Sequence, residues 1–135
     1  MAGYSDTPLA RKLGIKEGAR VGLIDAPEGF EAVLGALPEG VAIRRQARGP
    51  LDVLVFFTTS RAKLTQRLRK LREALDPAGG LWVAWPKRTS GVPTDMTENV
   101  ARELGLEHTL VDNKVCAIDE TWSGLRLVIR VRDRP

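Results

Sequence analysis

Residues 52–57 read Asp-Val-Leu-Val-Phe-Phe, an almost unbroken β-branched and aromatic run. A strand that never alternates with polar residues has no face to give to water, so it must be covered on both sides. A central strand of a parallel sheet meets that need. Leu-Trp-Val-Ala-Trp at 81–85 repeats the pattern, and Ala-Arg-Val-Gly-Leu-Ile-Asp at 19–25 is a shorter version between glycine-containing turns.

Between these runs the period changes from two to nearly four. Leu64, Leu68, Leu71 and Leu75 form one apolar stripe, which predicts a long helix over 61–75 that stops at Asp-Pro-Ala-Gly-Gly, 76–80. Phe30, Val33, Leu34 and Leu37 predict a helix over 28–37, ended by Pro38-Glu39-Gly40. Thr7-Pro8 reads as a helix start and Gly14 as its stop, and a further helix is expected over 95–104, opened by an Asp95-x-x-Glu98 capping box. Val41–Arg44 is a short strand. The stretches 109–119 and 125–131 form a hairpin about Glu-Thr-Trp-Ser-Gly, with a turn or bulge at Asp112-Asn113.

Strands alternating with helices and closing on a hairpin predict an α/β fold. The expected form is a single three-layer domain over 1–135, with 1–18 as N-terminal helix and lead-in. Its sheet is mostly parallel, with five to six strands and an antiparallel C-terminal hairpin. One link is short. The seven residues 45–51 join the second strand to 52–57, whereas a parallel crossover normally takes a dozen or more. The second strand is therefore expected to be very short or to pair antiparallel.

Composition narrows the chemistry. The chain has 135 residues, 43% hydrophobic and 28% charged, within the range of an ordinary globular protein. One cysteine, Cys116, and one histidine, His108, allow no disulfide, no cysteine cage and no His-pair zinc site, so no metal is expected. Cys116 is read as a small apolar strand residue. No signal-type segment opens the chain and the longest apolar run is too short for a bilayer, so a cytoplasmic protein away from membranes is expected.

The order of elements, the Gly-Gly-Leu-Trp-Val-Ala-Trp-Pro-Lys stretch and the terminal hairpin resemble a trimmed S-adenosylmethionine-dependent methyltransferase, a Rossmann-like fold. That resemblance implies a glycine-rich turn after the first strand and an acid ending the second. Here those positions read Asp25-Ala26-Pro27-Glu28-Gly29 and Arg44-Arg45-Gln46, and neither GxGxxG nor GxxxxGK[ST] occurs. No cofactor is therefore expected.

Three stretches, 2–21, 79–100 and 111–128, also resemble a family of small bacterial proteins known only as a domain of unknown function. That likeness implies an identity without a mechanism.

Ligands of open α/β sheets sit beyond the carboxyl ends of the strands. Five segments should meet there: Asp25; Thr58, Thr59 and Ser60; Lys87, Arg88 and Ser90; Thr94 and Asp95; and the tip with Asp119, Glu120 and Trp122. Asp25, at least one of Thr58, Thr59 and Ser60, and Asp95 also suit helix capping. Lys87 and Arg88 suit an anion, Trp122 offers a flat face, and Asp25, Asp119 or Glu120 could serve as a general base. The expected function is a non-enzymatic module for a small anionic ligand or a protein partner. Two alternatives stand beside it: a small enzyme working through carboxylates, and weak nucleic-acid association through the basic face of 61–75. That face carries no aromatic platform, so nucleic acid is the least supported partner.

Overall fold

The computed structural model describes residues 7–135, and the lead-in through residue 6 lies outside the described residues. Six strands form one sheet, in the order β2-β1-β3-β4-β6-β5. They are β1 (Arg20–Ile24), β2 (Ala42–Arg44), β3 (Leu51–Phe57), β4 (Leu75–Pro86), β5 (Leu110–Ala117) and β6 (Trp122–Ile129). The first four run parallel, and β6 turns back against β4 and β5 against β6. The sheet is the mixed α/β sheet with an antiparallel hairpin that the strand pattern predicts.

The two-sided burial of 52–57 is explained by its neighbours. Val53, Val55 and Phe57 of β3 face a core with Val21, Leu23 and Trp82, covered by α1 (Leu9–Lys12) and α2 (Phe30–Leu34). Leu54 and Phe56 face the other way, into a core with Leu81, Val83 and the stripe Leu64, Leu68 and Leu71 of α3 (Arg61–Ala74). Ala101 and Leu104 of α4 (Glu98–Glu107) complete that side. The result is three layers. The buried Trp82 indole finds a partner by donating to the Leu13 carbonyl at 3.0 Å.

The short link is real, and β2 is nonetheless parallel. Because β2 has three residues, the chain returns only about 10 Å along the strand direction while stepping sideways two strand spacings, also about 10 Å. That diagonal is roughly 14 Å, and residues 45–50 can span about 20 Å. A crossover without a helix therefore suffices, with Ala47 packed against the α3-side core.

Three helix boundaries depart from the sequence reading. The helix expected over 28–37 is only Phe30–Leu34, because Gly29 (φ 80°) and Gly35 (φ 80°) break it at both ends. Val33 and Leu37 are consequently exposed. The helix expected at 95–104 begins at Glu98, capped by the Thr97 side chain, which accepts from the Val100 amide at 3.1 Å. In α1, Pro8 occupies the N-cap itself rather than the first helical position. At the hairpin, β6 starts at Trp122, so the tryptophan is a strand residue and the turn precedes it.

Candidate functional site

The parallel strands β1, β3 and β4 end on one rim, and the antiparallel β6 starts on it. Pro86 pairs with Trp122, and the Lys87 amide donates to the Thr121 carbonyl at 2.7 Å. The loop with the two cations and the tryptophan therefore share an edge, as the expected topology requires.

On that rim, Asp25, Phe57, Thr58, Thr59, Lys63 and Trp122 line a recess of about 220 Å³. Its wall is aromatic. Phe57 meets Trp122 edge-on, with centroids 5.2 Å apart, and Phe30 edge-on at 4.7 Å. Trp122 thus both covers the end of the core and shows part of itself to the recess. Lys63, in the first turn of α3, supplies the positive charge. Its amide is taken by the Ser60 cap at 3.1 Å, but its side chain has no ion-pair partner among the described residues.

The remaining rim residues mostly hold the rim together. Asp25 caps no helix, contrary to expectation: the N-cap of α2 is Gly29, with no side-chain cap. Instead Asp25, at φ 57°, pairs with Arg67 at 3.7 Å, and that guanidinium lies 5.4 Å from the Phe56 ring centre. Asp95 belongs to a different helix from the one its capping-box pattern indicates. Its Oδ1 accepts from the Arg61 amide at 2.7 Å, at the start of α3. Thr94 donates to the Thr59 carbonyl at 2.7 Å and accepts from the Met96 amide. Ser90 closes its own loop, donating to the Lys87 carbonyl and accepting from the Val92 amide.

Asp119 shapes the hairpin tip. Its Oδ1 accepts from the amides of both Thr121 and Trp122 at 2.8 Å. Glu120 is exposed and lies outside the recess, as do Lys87, Arg88 and Ser90. The structure therefore gathers Asp25, Thr59 and Trp122 into one recess, with Thr58 and Lys63. It places Lys87 and Arg88 nearby on the rim, unpaired among the described residues. Lys63 escapes a reading by strand ends, because it arrives from the first turn of the following helix. The signal for it was its position three residues after a serine cap.

The basic face of α3 is partly spent within the protein. Arg67 is held by Asp25, Arg69 pairs with Glu73, and Arg72 donates to Thr109. His108 stands at the C-terminal end of α4. Burial pushes the Cys116 thiol above its ordinary pKa, against the pull of Lys114 and Lys12. No cluster of three or more metal-ligating side chains occurs among the described residues, and no described helix is long and apolar enough to cross a membrane.

No protein-family model matches the sequence, and no curated protein matches it. Solved structures do. A SAM-dependent methyltransferase from Aquifex aeolicus superposes with a TM-score of 0.64 at 12% identity, over 90% of this chain and 88% of that one. The pyocyanin biosynthetic protein PhzM superposes at 0.66 and 12% identity, over 90% of this chain but 53% of its own. Aeropyrum pernix fibrillarin, in complex with natively bound S-adenosyl-L-methionine, superposes at 0.57 and 17% identity, over 89% and 73%. The chain thus has the Rossmann-like fold of these structures. At such identities the likeness shows the fold alone.

Proposed function

We propose that this protein is a non-enzymatic binding module on a methyltransferase-type scaffold, taking a small planar anion at the strand-end recess. One observation carries the reading. Among the described residues, the recess sets an aromatic wall of Phe57 and Trp122 beside the unpaired Lys63, while its single acid, Asp25, is already engaged by Arg67. The wall suits a flat face and the lysine suits a carboxylate or similar group. Lys87 and Arg88, farther along the rim, add a positive field that draws such a ligand in.

Acid–base chemistry has little to work with here. Asp25 is ion-paired, both tip amides rest on Asp119, and Glu120 lies outside the recess. The residues also fit S-adenosylmethionine poorly. After β1 the chain presents Asp25-Ala26-Pro27, where the proline has no N–H to offer and glycines are lacking for a close approach. The 220 Å³ recess is also below the roughly 300–1,000 Å³ of sites that enclose drug-sized ligands.

Native mass spectrometry of freshly purified protein tests the reading, followed by thermal-shift titration with small aromatic carboxylates. A retained or stabilising anion whose effect disappears in Lys63→Ala is the expected result. Stabilisation that survives both Lys63→Ala and the Lys87→Ala/Arg88→Ala double variant would exclude the recess. The fold itself favours one competing reading, methyl transfer. Saturable binding of S-adenosylmethionine, displaced by S-adenosylhomocysteine, would replace the proposal with it.

A further inference from the structure

A second concentration of charge lies away from the strand-end rim, on the sheet face that carries α1. Arg11, Lys12, Lys16, Lys114 and Arg126 line a cleft of about 260 Å³ with Leu13, Gly14 and Asn113. No acid lines it.

Its construction is specific. β5 carries a bulge at Asn113: Asp112 pairs with Leu127, but Lys114 rather than Asn113 pairs with Arg126. In an unbroken ladder Lys114 would sit opposite Leu125, on the other face of the sheet. The extra residue instead sets two cations directly across from each other, an arrangement that is destabilising in itself. Lys114 also reaches across to donate to the Lys12 carbonyl at 3.2 Å, tying β5 to the end of α1.

Arg126 is half-buried, and its side chain has neither hydrogen bond nor ion pair among the described residues. It lies over Gly80, where an added Cβ would fall 2.3 Å from its Nε, so a glycine leaves it room. Burial and the nearby Arg134 push the pKa of its guanidinium below the ordinary value, the mark of a cation held without compensation. Arg126 also lines the adjoining recess, whose acids are Glu17, Asp52 and Asp76; Arg20 binds the latter two, and none of the three pairs with Arg126.

We propose that this cleft is an anion site for a multiply charged phosphate group, held by Arg126 and Lys114 with Lys12, Arg11 and Lys16 around it. Two opposed cations beside three more need more than one negative charge, and a fork-shaped guanidinium beside lysines suits phosphate oxygens. The group would come from free pyrophosphate or from the phosphates of a nucleoside diphosphate.

Isothermal titration with pyrophosphate at fixed ionic strength tests this on wild type, Arg126→Gln, Lys114→Gln and an α3 control, Lys70→Gln. Saturable one-site binding is expected. It should weaken about tenfold in each cleft variant, as for one lost charge-assisted hydrogen bond, and hold in the control. Parallel titration with ADP separates the two sources: tighter binding than pyrophosphate assigns a nucleotide, and equal or weaker binding assigns the free anion. The Trp82 indole N–H, bonded to Leu13 in the cleft wall, gives a reporter in wild-type protein that needs no variant to fold. Its NMR signal should shift with pyrophosphate, together with the amides of Asn113 and Lys114. Absence of saturable binding, equal weakening in the control, or shifts at Thr58, Thr59 and Lys63 instead would overturn the proposal.

Discussion

Replacing Asp119 with alanine should loosen the hairpin tip without touching any chemistry. One carboxylate oxygen holds two amides, those of Thr121 and Trp122, each at 2.8 Å. A hydrogen bond to a charged group contributes about 1.5–3 kcal/mol, and an ordinary one about 0.5–1.5. The tip is half-buried, so freed amides regain some water and the lower range applies. Two such bonds amount to roughly 2 kcal/mol. The edge-on contact of Trp122 with Phe57, worth about 0.5–1.5 kcal/mol, is also at risk once the turn slackens. Asp119→Asn keeps an acceptor oxygen in place and should lose about half as much. Urea unfolding followed by tryptophan fluorescence reads both variants, as a lower midpoint with an unchanged slope. In a domain of this size the alanine variant should melt about 8 °C lower. If Asp119→Ala lies within about 0.5 kcal/mol of wild type, the scale of an ordinary surface change, the tip is not held in this way. Equal damage from alanine and asparagine would refute the role of the acceptor.

Three further outcomes follow from contacts elsewhere. Arg20 grips Asp52 through its side chain and amide, holding the carboxyl below its usual 3.8; a depressed folded-state pKa gives stability that is complete above the unfolded value and lost as pH falls through the folded one. The acid limb of a stability–pH curve should therefore flatten in Asp52→Asn, and an unchanged limb would refute the link. Asp95→Ala should cost about 1 kcal/mol and speed amide exchange in the first turn of α3, at Arg61, leaving α4 alone; loosening of α4 instead would restore the capping box. Cys116 should react with a disulfide reagent more slowly than free thiol at neutral pH, because burial disfavours the thiolate; faster reaction would contradict that.

The sheet was legible because its central strands cannot be anything else. An apolar run such as 53–57 needs cover on both faces, and the leucine stripe of α3 provides one cover at the right length. What the sequence hid was ownership. Asp95 stands three residues before Glu98 in a pattern that caps a helix, yet it bends back in space to cap α3, because Thr97 is the residue that meets the Val100 amide. Local spacing cannot show which of two helix starts a carboxylate will reach. The rim was placed correctly from strand direction alone, since Pro86 and Trp122 pair in register. Its occupants were less readable: Asp25 went to Arg67, and Lys63 arrived from a helix. The bulge at Asn113 could be suspected from Asp-Asn, but its effect on Lys114 depends on a register that only pairing with β6 reveals.

The openness of the strand-end recess bears on timescale. Three of the residues that line it, Asp25, Thr59 and Lys63, are exposed. On the proposed reading, a molecule resting beside Trp122 would keep one side in bulk solvent and could leave without any part of the protein opening. Its residence should then be brief and its exchange rapid, which suits sampling a fluctuating concentration better than sequestering a guest.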